Sequence, residues 1–225
     1  MVAQKVRIWL IAFIAITSLV ACGNVLTKNN VTITFGKTNL RFTAGGDDSI
    51  PAIVPIYSET DIRNSTVGTW QAGGMGTGVC IGTGKILTAY HCTNKAGPVW
   101  IVHGGKHHVA QVECCNSLTD LAVLTFTPTD PITPLKIAKH DPTTGEKVTS
   151  VGWADTQSTT LWSMTDTGPI AGFQRTVDRP LVMGRSGGAI VNNRNEIIGI
   201  TTSSTPTNGY YTDLASIRLL LGSNY

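Results

Sequence analysis

The sequence predicts an all-β chain folded as two six-stranded antiparallel barrels and ending in a short C-terminal helix. Three observations carry this. Short runs rich in β-branched and aromatic residues recur along the chain, punctuated by Gly, Asn, Pro or Asp. A Pro-rich stretch at 128–134 divides the runs into two sets, as a crossover between barrels would. Asp213 followed by LASIRLLL has the N-cap and apolar spacing of a terminal helix. Only 14% of the 225 residues are charged and 24 are glycine, which suits a turn-rich β domain.

Taken in order, residues 31–35 and 39–42 alternate like a hairpin or a packed strand, and a Gly-Gly-Asp-Asp cluster follows them. The first barrel, about residues 66–127, is assigned strands at 67–71, 79–81, 85–88, 99–102, 108–112 and 121–126. The second, about residues 135–212, draws on runs at 135–137, 147–153, 163–173, 181–183, 189–192, 197–202 and 210–212. Asn208-Gly209 is the strongest two-residue hairpin signal in the chain. The helix is expected over residues 214–221, and no internal repeat is evident.

Three segments carry the chemistry: TAYHC ending at Cys92, DLAVL beginning at Asp120, and GRSGG around Ser186. A serine hydroxyl is a poor nucleophile at neutral pH and needs an adjacent base. That base needs a carboxylate to fix its tautomer and stabilise the imidazolium. His91 ends an apolar strand. Asp120 precedes an apolar run that draws it towards a buried interface, whereas Asp130 lies in a Thr-Pro turn context. Ser186 is flanked by glycines that let backbone amides approach a developing oxyanion.

In these residues the chain resembles the chymotrypsin/trypsin family of serine proteases. The order His91, Asp120, Ser186 is that family's order. Spacings of 29 and 66 residues are similar to those of compact bacterial members. The run GGAIVNNRNEIIGITTSS after Ser186 continues as a strand, a turn and a second strand, as the family does. The resemblance extends from about Thr66 to the C-terminus. It implies a chymotrypsin-like fold and a serine endopeptidase acting on protein or peptide substrates without a cofactor or metal. It further implies an oxyanion hole from the Gly184 and Ser186 amides, a hydroxyl from Thr202 supporting Asp120, and a specificity pocket at Pro180, Thr201 and Ser203. With no carboxylate at Pro180, a preference for Lys or Arg lacks its counter-charge. The resemblance also implies a disulfide between Cys80 and Cys92 stapling the His91 loop.

One departure concerns Arg185, which stands where the digestive enzymes place the acidic residue that pairs with a freed N-terminus. Activation by that route is not expected. Cys114 and Cys115 are adjacent and have no clear family counterpart; together they could close only a strained ring. His103, His107, His108 and His140 are expected at the surface or in loops, with His107 and His108 on opposite faces of a strand. GGMGTG (73–78) and Gly84-Lys85 lack the pattern of a phosphate cradle. Two other function classes remain: a silent protease-like domain that binds peptides or a protein partner, and an esterase using the same three residues.

The N-terminus predicts export. Lys5 and Arg7 precede an apolar run of 13 residues, 8–20, short for a bilayer span but suited to a signal peptide over 1–21. Leu19-Val20-Ala21-Cys22 resembles a bacterial lipobox, which implies acylation of Cys22 and a membrane-anchored lipoprotein at the cell envelope. Residues 22–49 then form a tether or N-terminal extension before a protease domain at 50–225. Without 1–21 the chain carries 15 Lys+Arg against 14 Asp+Glu, and no basic stripe suggests nucleic acid.

Overall fold

The computed structural model describes residues 31–35, 38–42, 54–154 and 158–222, with side chains from Tyr57 onward. The expected signal peptide, Cys22 and most of the tether lie outside the described residues. The chain divides into two units, Met1–Pro55 and Ile56–Tyr225. In the first, β1 (Val31–Phe35) and β2 (Thr38–Phe42) pair antiparallel from Val31 opposite Phe42 to Phe35 opposite Thr38. β3 (Val54–Ile56) follows β2 in the same sheet.

The second unit opens with a helix that the strand-centred sequence reading missed, α1 (Glu59–Ser65). Its signal was present. Ser58 accepts from the Asp61 amide at 3.1 Å while the Asp61 carboxylate accepts from the Ser58 amide at 2.8 Å, a reciprocal capping box. Then come β4 (Thr66–Gln71), β5 (Gly74–Gly82), β6 (Lys85–Ala89), β7 (Val99–His103), β8 (Lys106–Asn116) and β9 (Leu121–Thr125). These close as a barrel in the order β4-β5-β6-β9-β8-β7. A second barrel is built from β10 (Lys147–Trp153), β11 (Thr159–Pro169), β12 (Gln174–Val177), β13 (Ala189–Val191), β14 (Ile197–Ser204) and β15 (Gly209–Thr212). Its order is β10-β11-β12-β15-β14-β13. The chain then enters α2 (Leu214–Leu221), with Asp213 as N-cap accepting from the Ser216 amide at 2.9 Å.

Strands such as KILTA and LAVLT are apolar on both faces because both faces are buried. In the first barrel Val67, Cys80, Ile86, Val99, Ile101 and Leu124 form one cluster. Their strand neighbours Val79, Leu87, Leu121 and Val123 belong to a larger cluster with Val151, Ile190, Ile198 and Tyr211 of the second barrel. The two barrels therefore share a continuous apolar seam.

Four expectations in the second barrel change. Residues 135–137 form no strand; they make a single parallel bridge, Ile137 to Ile197, clipped to β14 by backbone hydrogen bonds. Residues 181–183 are loop: Val182 and Met183 project outward, and Pro180 offers no amide to a ladder. The run 163–173 is displaced, since β11 begins at Thr159 and ends at Pro169, and the polar segment Gln174–Val177 forms β12. Asn208-Gly209 is not a two-residue turn. The loop runs over residues 205–208, closed by Thr205 N–H to Asn208 O at 2.8 Å, and Gly209 already pairs with Ser204. Gly209 is needed for close approach, because a Cβ there would lie 2.6 Å from the Leu181 side chain.

One buried polar group organises the second barrel. Asp166 is fully buried on β11 and receives Arg175 from β12 at 2.7 and 3.2 Å, the Tyr211 hydroxyl from β15, and the Gly168 amide at 3.0 Å. Burial first, and then the Asp166 carboxylate, hold the Tyr211 phenol well above its usual range. Removing one partner leaves the others buried and unpaired. Asp166→Ala is therefore expected to destabilise the protein by about 3–5 kcal/mol, measured as a lowered urea midpoint with an unchanged m-value.

Candidate active site

His91 lies in a 3-10 turn, Tyr90–Cys92, directly after β6. Asp120 is the residue before β9, the strand that pairs with β6. The turn carrying it is shaped by Asn116, whose side-chain oxygen accepts from the Leu118 and Thr119 amides at 3.0 and 3.3 Å. Asp120 has φ +54°, a left-handed conformation that aspartate tolerates better than most residues. Its carboxylate thereby faces His91 twice. The His91 amide donates to Oδ1 at 2.9 Å, and His91 Nδ1 lies 2.7 Å from Oδ2. Tyr90 N–H also donates to Asp120 O at 3.0 Å. The Asp120 hydrogen bond, and secondarily the Cys92 sulfur, raise the His91 pKa above its usual range.

Ser186 is half-buried at the end of a loop in the second barrel and shares a cavity of about 400 Å³ with His91. Gln71, Gly73, Gly74, Met75, Gly76, Cys92, Lys95, Met183 and Gly184 line the remainder. Among the described residues no hydrogen bond joins His91 to Ser186, and the Gly184 and Ser186 amides have no acceptor. Gly184 has φ +86°, and a Cβ there would lie 2.6 Å from Trp153 O. An imidazole oriented by a carboxylate, a serine hydroxyl in the same cleft and two unpaired amides form a set capable of acyl transfer.

The loop bearing Ser186 is fastened by a residue the sequence reading passed over. Thr77, in the dismissed segment 73–78, is a buried residue of β5. Its amide donates to Ser186 O at 2.7 Å, and its hydroxyl donates to Gly184 O at 2.6 Å while accepting from Trp153 N–H at 2.8 Å. The first barrel thus grips the second at Ser186 itself. A threonine between glycines on a strand gave no signal of this, because the contact spans 107 residues of sequence.

Four expected features are corrected. Thr202 does not reach Asp120, because the β14–β15 register shifts at that point. Its hydroxyl donates to Tyr210 O at 3.4 Å and accepts from Gln174 at 3.3 Å. The hydroxyl that does reach the Asp120 turn is that of Thr212, which donates to Thr119 O at 2.8 Å. Pro180 is exposed and lines a different cavity with Trp162, Met164 and Val182. Thr201 is buried, with its backbone bonded to Gly187 and Gly188, and Ser203 points to solvent. Neither lines the His91–Ser186 cavity.

The Cys80–Cys92 disulfide is absent. Cys80 points into the first barrel's core, with its thiol donating to Gly82 O at 3.1 Å, while Cys92 faces the cleft. The position facing Cys92 is Gly76, where a Cβ would lie 2.6 Å from the Cys92 sulfur, so β5 offers it no thiol. Cys114 and Cys115 are also free.

Arg185, between Gly184 and Ser186, is fully buried. Desolvation pushes its guanidinium down to about 10. No carboxylate pairs with it among the described residues. The lone histidines are elsewhere, His108 packing edge-on against Phe126 at 5.4 Å, and no cluster of metal-ligating side chains occurs among the described residues.

Comparison with known proteins shows the family and the fold. A family model described as a trypsin-like peptidase domain matches residues 76–200. The serine endoprotease DegS of Salmonella typhimurium is 32% identical over 167 residues, covering 68% of this chain and 46% of its own length. The Escherichia coli K12 protein of the same name is 30% identical over 166 residues, with the same coverage. The chain thus spans less than half the length of these relatives. Among solved structures, the active form of the Rv3671c protease from M. tuberculosis superposes with TM-score 0.67 at 19% identity, covering 72% of this chain and 81% of that one. The serine endoprotease from Yersinia pestis gives TM-score 0.65 at 24% identity, covering 77% and 66%. With a family model covering more than half its length and two closed six-stranded barrels, the chain belongs to the trypsin-like serine proteases.

Proposed function

We propose that the protein is a serine endopeptidase that cleaves protein or peptide substrates with Ser186 as nucleophile, His91 as general base and Asp120 as its orienting carboxylate. The observation that carries this reading is the 2.7 Å contact of His91 Nδ1 with Asp120 beside the cavity that also holds Ser186. With Nδ1–H held by Asp120, Nε2 is the free basic nitrogen. Ser186 Oγ attacks the scissile carbonyl carbon and its proton passes to His91 Nε2. The developing oxyanion is met by the Gly184 and Ser186 amides. As the C–N bond breaks, Nε2 returns the proton to the leaving amine, and an acyl-serine remains. Water, deprotonated by the same nitrogen, then releases the acid.

Export and lipid anchoring complete the proposal. Lys5, Arg7, the apolar run 8–20 and the Leu-Val-Ala-Cys tetrapeptide support a signal peptide with Cys22 as the acylated residue. Two or three acyl chains would hold the enzyme stably at a membrane. Residues 23–49 would act as a spacer, with the β1–β2 pairing shortening its reach below the about 90 Å of full extension.

Ser186→Ala and His91→Ala should each lower kcat by about 10⁴–10⁶-fold, with little added loss in the double variant, since the groups act as one unit. Independent, multiplying losses would count against a relay. Hydrolysis of a protein substrate, blocked by a serine-directed phosphonate, separates this reading from a silent binding domain; cleavage of esters alone would mark an esterase.

The His91 base must be deprotonated to act, and Asp120 raises its pKa, so kcat/KM should rise with pH through an apparent pKa above about 6.5. Asp120→Asn should move that limb to lower pH while reducing the plateau about 10⁴-fold. A limb unmoved by this change would remove Asp120 from the relay.

Cys22→Ser should abolish incorporation of labelled palmitate and leave either unprocessed precursor or a soluble form. If the wild type takes up no label and the variant stays equally membrane-bound, the anchor is of another kind.

A further inference from the structure

The side chain of Arg185 is the largest among the fully buried residues, and the relay does not use it. It leaves the loop between Gly184 and Ser186 and enters the second barrel at the edge of β10 and β11. There its Nε donates to Ser150 Oγ at 3.2 Å and its Nη2 to Ser150 O at 2.5 Å. Nη1 donates to Thr160 Oγ1 at 2.5 Å, Nη2 reaches Thr160 O at 3.2 Å, and the guanidinium lies 4.2 Å from the centre of the Trp162 ring. Ser150 is on β10 and Thr160 on β11, so one side chain is bonded to two paired strands. The loop backbone itself rests on β10, since a Cβ on Gly152 would come within 3.2 Å of Arg185 Cα.

We infer that Arg185 is a positioning residue that holds the Gly184–Ser186 segment in its oxyanion-binding shape by anchoring it to β10 and β11. This rests on the protease reading above. A buried guanidinium, here with no carboxylate partner among the described residues, carries a desolvation cost that an apolar side chain of similar volume would avoid. What the charged group supplies in return is direction. The planar fork meets four oxygens at defined angles while its face stacks on an indole. An apolar side chain would fill the same space and leave rotation about the Arg185 backbone less restricted. Arg185 ψ sets the plane of the peptide that carries the Ser186 amide, and fixing the Arg185 Cα restrains Gly184, its chain neighbour, from the other side. Every anchoring group is in place once β10 and β11 have formed, so the latch needs no freed terminus to complete it.

The test compares Arg185→Met, Arg185→Lys and the wild type. Arg185→Met should lower kcat about 10–100-fold with KM within twofold, less than the about 10²–10³-fold cost of removing an oxyanion donor outright, because both amides remain and only their orientation loosens. Affinity for a peptide boronic acid, which forms a tetrahedral adduct at the serine, should fall by the same factor. The downfield Nδ1 proton resonance of His91 should persist, since the bond to Asp120 is untouched. Arg185→Lys should recover part of the loss by reaching a single carbonyl. Hydrogen exchange over residues 182–188 should quicken in Arg185→Met while the barrels stay protected. Wild-type kcat and boronate affinity in a folded Arg185→Met overturn the proposal, as does a loss confined to KM. If Arg185→Met does not fold, Ser150→Ala and Thr160→Val each remove one anchor and should lower kcat threefold to tenfold; wild-type kcat in both overturns it. If the wild type neither cleaves protein nor reacts with a phosphonate, the protease reading fails instead. The latch is then judged by exchange alone, with faster exchange over 182–188 in a folded Arg185→Met, or in Thr160→Val if that variant does not fold, supporting it and unchanged exchange overturning it.

Discussion

The grip of Thr77 on the nucleophile loop is the contact on which the site depends. His91 and Asp120 sit on the first barrel and Ser186 on the second, so the cleft they share exists only if the two barrels are registered to a fraction of an ångström. An apolar seam brings them together but is non-directional and would tolerate sliding. Thr77 supplies the direction. Its amide and hydroxyl bond the carbonyls of Ser186 and Gly184, and the same hydroxyl receives the Trp153 amide. Its own carbonyl takes the Thr88 hydroxyl at 2.6 Å, which ties the junction to the strand leading into His91. Thr77, Thr88 and Gly184 are buried, so sliding would leave several polar groups unsatisfied together.

The second barrel shows how the same logic is used twice with opposite charge balance. Asp166 and Arg175 form a buried pair that the Tyr211 hydroxyl completes, joining β11, β12 and β15 far from the cleft. Among the described residues Arg185 has no acid partner and is satisfied by neutral oxygens and an indole face. The first arrangement is sensitive to loss of any one partner, because a charge is then left alone. The second spreads one charge over several weaker acceptors, which suits a latch that must define an orientation beside a reacting centre.

The free cysteines belong to this picture. Cys80 is one of the core residues of the first barrel and behaves as a small apolar side chain, its thiol raised by burial. Cys92 occupies the cleft wall opposite Gly76. The His91 turn is therefore held by hydrogen bonds. The Gln71 side chain accepts from the Lys95 amide and donates to Gly97 O, both at 2.8 Å, and Thr93 N–H closes the turn on Tyr90 O.

The sequence by itself determined the architecture and singled out His91, Asp120 and Ser186. Strand runs, turn residues, the Asp213 cap and the order His91, Asp120, Ser186 are local or ordinal features, and local propensity and order are readable without coordinates. What lay beyond it were relations set by register and by distance in space. Thr202 and Thr212 are both threonines near the end of the chain, and only the packing of the strands decides that the Thr212 hydroxyl is the one that reaches Thr119 O beside Asp120. Cys80 and Cys92 have the spacing of a staple, but strand alternation sends Cys80 into a core while Gly76 faces Cys92. Thr77 looked like filler in a glycine segment and Arg185 like an anomaly beside the nucleophile. Their partners lie 107 and 35 residues away. A single chain read in order carries no record of which distant groups meet, because that is decided by how two closed barrels pack.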